Sequence, residues 1–261
     1  MKDKLITIIL PVHRIDGVYR DMLKNALLSM ENFYNDVKVM IVCPQDVSSD
    51  LQNLSQTLEI NIVTNNDKTD FCSQVNLGIT KCDTEWFSIL EMDDEYKKSW
   101  LSSMHEYIKT YEDVDVFLPI VKDVNVDGKF TSFTNESVWA YGFAEKQGFL
   151  DNEILLDFQN YQTSGGLYKT KVIQEQGGFK ENIKLTFSYE FLLRLTHNSV
   201  KIMVVPKIGY QHVNFREDSL FWSYKNNDEN KLSEKEIKFW LETAKKEFFF
   251  KNKRDVTYSE V

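Results

Sequence analysis

The chain has 261 residues, a length that suits one α/β domain, and with 42% apolar and 13% aromatic residues it can build a sizeable core. No apolar run approaches the roughly 20 residues that a membrane-spanning helix needs, so insertion is excluded, as is wholesale disorder. With 31 basic against 40 acidic residues the formal charge is −9, so the surface as a whole repels polyanions and anionic lipid.

The opening MKDKLITIILPVHR holds a short β-branched run stopped by Pro11 with no small-residue cleavage site after it. It reads as a buried strand over 5–12 and not as a secretory signal, and a cytoplasmic location is expected. Cys43, Cys72 and Cys82 match no zinc or redox spacing and are expected as reduced core thiols. After the first strand the period switches to 3.6: Tyr19, Met22, Leu23, Ala26, Leu27 and Met30 share one helical stripe. Residues 37–43 read as a strand, 47–58 as a weaker helix and 60–64 as a short strand. Residues 69–80 read as a helix or a loop leading into one, and the strand at 86–91 runs into the acidic EMDDEY.

Strands alternating with helices predict βαβ units, so the first ~120 residues are expected to form a mostly parallel sheet covered on both faces. In such sheets a ligand sits beyond the carboxyl ends of the strands, where 11–14, 65–70 and 91–95 all fall. From Val114 the pattern turns antiparallel: 116–121 reads as a strand, and NVDGKF carries the Asp127, Gly128 pair that favours a two-residue hairpin turn. Gly165 and Gly166 precede a short helical stretch ended by Gly177 and Gly178. Residues 188–197 read as a helix, 202–206 as a strand, and SEKE at Ser233 resembles a capping box opening a long helix over 233–250.

The strongest local feature is ILEMDDEY, which brings Glu91, Asp93, Asp94 and Glu95 together at a strand end. These carboxylates repel one another, and a hard divalent cation with oxygen ligands would relieve the repulsion. The alternative is a solvated turn whose acids favour a following helix N-terminus.

Taken in order, ITIILPVHR, QVNLGITKCDTEWFSILEMDDEY, GGLYKTKVIQEQGGF and EFLLRL resemble the family 2 glycosyltransferases of the GT-A fold, enzymes that move a sugar from a nucleotide diphosphate sugar to an acceptor. The resemblance spans 4–216. It implies an α/β, Rossmann-like, mixed and mostly parallel sheet flanked by helices over 1–220, with a nucleotide-binding half at 1–120, an acceptor-side half at 121–220 and a C-terminal helical extension at 221–261. By this resemblance Pro11, Val12 and His13 hold the nucleotide base, although His13 reads equally as a loop histidine packed on its neighbours. Asp70 and Asn76 fall in the stretch that closes over base and ribose, and Asn76 also reads as an ordinary helix residue. Glu91 and Asp93 meet the donor. Asp93 and Asp94, with His212, hold Mn²⁺ or Mg²⁺, and Arg216 meets the phosphates. His212 reads equally as a core or loop histidine, and Arg216 as a partner of Glu217 or Asp218. A UDP-sugar is the favoured donor and a glycan, or another hydroxyl compound, the acceptor.

An inverting transfer of this kind uses a carboxylate base to take the acceptor's proton, while a divalent ion stabilises charge developing on the leaving diphosphate. In the family the base lies in a Glu, Asp pair ahead of a helix carrying an arginine. Aligned on Arg194, FSYEFLLR has Phe187 and Ser188 at that place, which leaves Glu190 as the candidate catalytic base. Its alternative is an i,i+4 pair with Arg194. MIVCPQD likewise has Cys43 and Pro44 where paired aspartates are frequent, with Asp46 close by.

Late aromatics, among them Trp139, Tyr161 and Trp222, are expected mainly as core. KKEFFFKNKR at 245–254 is the one patch that interleaves basic and aromatic residues, and it keeps open an enzyme of phage type that glycosylates hydroxymethylated DNA bases. The net charge disfavours DNA as a partner. A nucleotidyltransferase would resemble a glycine-rich basic loop after the first strand, whereas PVHRIDGVYR has Gly17 alone. A catalytically inactive GT-A module that binds nucleotide sugars is a further reading, supported by Phe187 and Ser188.

Overall fold

The computed structural model describes residues 4–55, 59–66, 68–142, 144–214, 216–217, 219–226 and 231–253. Its first half runs β1 (Ile6–Pro11), α1 (Val18–Leu28), β2 (Lys38–Cys43), α2 (Gln45–Ser55), β3 (Ile60–Thr64), α3 (Phe71–Lys81), β4 (Trp86–Ile89), β5 (Glu95–Tyr96) and α4 (Trp100–Thr110). The second half follows with β6 (Val116–Val124), β7 (Phe130–Thr134), β8 (Phe149–Leu150), α5 (Asn152–Asp157), β9 (Leu167–Lys169), α6 (Thr170–Glu175), α7 (Phe187–His197), β10 (Ile202–Val213), α8 (Leu220–Asn226) and α9 (Glu234–Lys253).

One mixed sheet in the order β3-β2-β1-β4-β9-β6-β10-β5 organises the chain. The first four strands are parallel, as alternation with helices demands. Strand β9 then enters antiparallel between β4 and β6, β10 lies parallel to β6, and the short β5 closes the far edge antiparallel to β10. All six residues of β1 are buried because both faces are covered: Ile8 and Leu10 belong to the apolar cluster under α1 and α4, and Ile9 to the cluster under α3 and α7. The three cysteines are buried and unpaired with one another. Among the described residues no helix is long and apolar enough to cross a membrane.

Local chemistry sets the ends of the elements. Asp70 caps α3, its carboxylate accepting the Ser73 N–H at 3.0 Å, which makes a helix of the stretch that could also have been a loop. Ser233 and Glu236 form a reciprocal capping box at the start of α9. Three features depart from the sequence expectations. A helix not assigned from the sequence, α4, follows the acidic turn after the short β5. The hairpin between β6 and β7 is longer than two residues, because the Asn125 side chain accepts the N–H groups of Asp127 and Lys129 and Gly128 takes φ +75° inside that wider loop. Strand β10 continues past Pro206 to Val213, since shifts in its register with β6 between Val205 and Tyr210 absorb the proline as a bulge. Arg254 lies outside the described residues, as do the side chains of 246–253, so the basic-aromatic patch has no structural account.

Candidate active site

The acidic turn is shaped by its two neighbours in the sheet. Leu90 N–H donates to the Ile9 carbonyl at 3.0 Å, extending β4 along β1, and Asp94 N–H donates to the Glu91 carbonyl at 3.1 Å, which closes EMDD into a turn. Strand β5 then pairs with β10, Tyr96 opposite Tyr210 and Glu95 opposite Gln211. That pairing lays the end of β10 across the turn. The fully buried Tyr210 accepts the Glu91 N–H on its hydroxyl at 3.0 Å. Gly165 lies against the same ring at φ +78°, where an added Cβ would come within 2.5 Å of it. Its N–H donates to the Ile89 carbonyl at 2.8 Å and its carbonyl accepts the Trp100 indole N–H at 2.8 Å. So held, the neighbouring Ser164 donates its hydroxyl to Glu91 Oε1 at 2.6 Å.

The three carboxylates have distinct partners. Asp94 is 1% exposed, accepts the Val213 N–H at 2.9 Å, and meets His212 Nδ1 at 2.9 and 3.2 Å. Asp93 pairs with the Arg216 guanidinium at 3.1 Å. Glu91, Asp94 and His212 each turn one ligand atom into a common space, all within 4.8 Å of one another. Burial, with the charge of Asp94 behind it, raises Glu91 to about 7 and Asp93 to about 6, Arg216 acting against the rise at Asp93. For His212, burial alone would lower the imidazole, and Asp94, Glu91 and Asp93 override it to bring the value up to about 10. Two carboxylates and one imidazole suit a borderline-hard cation such as Mn²⁺ or Mg²⁺, and the mutual repulsion recorded in the raised acids is what such an ion relieves.

The other residues singled out in the sequence are distributed unevenly around this turn. His13 is exposed in the loop after β1, edge-on to Tyr19 at 5.6 Å, whereas Val12 is wholly buried and Pro11 ends β1. Arg216 donates to Met22 Sδ at 3.2 Å as well as pairing with Asp93. Asn76 fastens the loop after α6: its amide donates to the Phe179 carbonyl and accepts the Phe179 N–H, both at 2.8 Å.

Glu190, expected as the base, is 0% exposed and sits in an ion-pair cluster, with Arg194 Nε at 2.8 Å and Lys180 Nζ at 3.0 Å. Arg194 in turn donates to the carbonyls of Gln176 and Gly178. Through Arg194 the Glu190 carboxylate therefore ties α7 to the Gly177–Gly178 turn, and it is turned away from solvent. At the start of α7 the Ser188 hydroxyl lies 3.3 Å from that of Thr163, next to the Ser164 that bonds Glu91. Ser164 and Tyr210 gave no motif in the sequence. The glycine after Ser164, forced by close approach to a ring, was their available signal.

The family model described as Glycosyl transferase family 2 matches residues 7–175 of the chain. A sequence search of curated proteins matches none. In structure the chain is similar to S. aureus TarS 1–349 in complex with UDP-GlcNAc, with TM-score 0.67 and 14% identity over 98% of this chain and 68% of that one. The complex of TarS 1–349 with UDP gives TM-score 0.63 and 17% identity over 98% and 76%. Mannosyltransferase PcManGT from Pyrobaculum calidifontis, in complex with GDP-Man and Mn²⁺, gives TM-score 0.60 and 11% identity over 82% and 58%. At these identities the likeness is one of fold.

Proposed function

The chain belongs to glycosyl transferase family 2 and is a glycosyltransferase of GT-A fold, and from that premise we propose that it moves a sugar from a nucleotide diphosphate sugar to an acceptor hydroxyl with inversion, using Mn²⁺ or Mg²⁺. The observation that carries the proposal is the convergence of Glu91, Asp94 and His212 on one space at the carboxyl end of the parallel strands, with Arg216 beside it on Asp93. UDP-sugars are the favoured donors, in line with the UDP-GlcNAc complex of TarS, and the GDP-Man complex of PcManGT makes GDP-sugars the comparison to run. The acceptor we favour is a glycan, and the catalytic unit we assign to 1–220.

In this reading Glu91, Asp94 and His212 would hold the cation, which would supply Lewis-acid stabilisation to a departing nucleoside diphosphate. Ser164 and Tyr210 fix Glu91 from side chain and backbone, and Asp93 orients Arg216 toward the anion. The loop with Pro11, Val12 and His13 and the stretch with Asp70 and Asn76 border the nucleoside. Glu190 we assign to holding α7 in place and not to proton transfer, because Arg194 and Lys180 occupy its carboxylate. Phe187 and Ser188 open α7 where the family carries its acidic pair, which favours a second reading, an inactive nucleotide-sugar binding module.

Turnover separates the two. Incubation with UDP-sugars or GDP-sugars and Mn²⁺, with detection of free nucleoside diphosphate, is expected to reveal slow hydrolysis of one donor. Donor binding without any release would favour the binding module, and no Mn²⁺-dependent donor binding would refute both.

A further inference from the structure

One ring on α1 faces several groups of the site at once. Tyr19, 5% exposed, has the Arg14 guanidinium 3.7 Å and the Arg216 guanidinium 5.8 Å from its centroid. Arg14 comes from the loop after β1, whereas Arg216 comes from the segment after β10, so the ring joins two distant parts of the chain. One turn further along α1, Met22 accepts from Arg216, which is also paired with Asp93.

We infer that Tyr19 is a positioning residue for the donor's diphosphate, its ring holding two guanidinium groups, Arg14 and the Arg216 that pairs with Asp93. The inference rests on reading this cleft as a nucleotide-sugar site. Stacking engages the face of a guanidinium, while its in-plane N–H edge is the part that grips phosphate in bidentate fashion. A ring shared by two arginines can therefore help to orient both through their faces, adding at Arg216 to the N–H contacts that Asp93 and Met22 already take. It also removes in advance much of the rotamer freedom that two long side chains would lose on binding. The need for such an arrangement is electrostatic: Glu91, Asp93 and Asp94 repel an incoming diphosphate, and Arg216 is already paired with one of them. A second cation held on the same ring offsets that repulsion.

The test uses the full chain with Mn²⁺ and three probes: inorganic pyrophosphate, uridine and UDP. Tyr19→Leu is expected to weaken pyrophosphate binding about three- to tenfold, the scale of one or two lost cation–π contacts, and to weaken uridine binding less than about twofold, through the His13 edge contact alone. Tyr19→Phe, which keeps the ring, is expected to restore pyrophosphate binding to within twofold of the parent chain. Tyr19→Leu with parental pyrophosphate affinity overturns the inference, and so does a Phe variant as weak as the Leu variant. If Tyr19→Leu fails to fold, Arg14→Gln carries the same test: several-fold weaker pyrophosphate binding supports the inference and unchanged binding overturns it. A parent chain that binds pyrophosphate but no nucleoside diphosphate refutes the donor reading and leaves the ring's role standing. A parent chain that binds neither refutes both.

Discussion

His212 and Asp94 are 118 residues apart in sequence and 2.9 Å apart in space, and the next residue after His212 adds its backbone N–H to the same carboxylate. The contact exists because β5 is only two residues long and pairs at once with the end of β10, leaving Asp94 no room to turn outward. Its neighbour Asp93 points elsewhere and takes Arg216.

That division of labour separates two adjacent acids by experiment. Asp94→Asn is expected to lower Mn²⁺ affinity by at least about tenfold, the scale at which even outer partners of a metal act. Asp93→Asn is expected to leave Mn²⁺ affinity within a few-fold and to weaken UDP binding instead. Calorimetry with Mn²⁺ alone, then with UDP, reads both; equal Mn²⁺ losses would make Asp93 a ligand too.

Stability of the metal-free chain should depend on pH in an unusual direction. Glu91 and Asp93 keep their protons up to about 7 and about 6 when folded, against ordinary values of 4.5 and 3.8. The folded chain thus binds more protons than the unfolded one across this window, and stability falls as pH rises through it. His212 adds stability that is complete below its ordinary 6.5 and is lost as pH climbs through about 10. The surface pairs that hold Asp83 and Glu181 below their ordinary values of 3.8 and 4.5 contribute with opposite sign, but that contribution levels off within about one pH unit above those values. Melting in chelator between about pH 5 and 8 is therefore expected to show a falling midpoint, and excess Mn²⁺ to flatten or reverse the trend.

Glu190→Gln tests the structural assignment of that carboxylate. Removing one partner of a buried ion-pair cluster costs about 3 kcal/mol, and a chain of this size should lose roughly 6–12 °C of melting temperature. Activity per folded molecule is expected to stay within tenfold. An unchanged melting temperature with a collapse in kcat would return the proton-transfer role to Glu190.

Gly165→Ala places a methyl against Tyr210 at a backbone angle that L residues avoid. The expected penalty is about 2 kcal/mol by denaturant unfolding, with weaker Mn²⁺ binding because Ser164 loses its aim at Glu91. Gly17→Ala, also at positive φ but with nothing within 4 Å, serves as the control for backbone strain without the clash.

The parallel half of the fold was legible because its signals are local. The unbroken apolar run of β1, the stripe of Tyr19, Leu23, Ala26 and Leu27, and the cap at Asp70 each need only a few neighbouring residues. Helix α4 carries the same kind of stripe in Trp100, Leu101 and Met104, overshadowed by the acids before it. The antiparallel half depends on long-range pairing: nothing near Pro206 announces that a bulge will carry β10 on to His212, or that β9 will slip between β4 and β6. At the site the acidic turn was plain, but the choice of partner for each carboxylate was not, because Ser164, Tyr210 and Val213 act through a hydroxyl, a ring and a backbone amide that any sequence could supply.

The lateness of β10 in the chain has a consequence for biosynthesis. On the ribosome the four parallel strands and the acidic turn emerge well before His212 and Arg216, so the nascent polypeptide passes through a stage at which its clustered acids lack their cationic partners. Assembly of the reactive cleft therefore waits until β10 has been made, and an abortive product that stops short of β10 carries a sheet with an open flank and a self-repelling loop, a ready target for quality-control proteolysis.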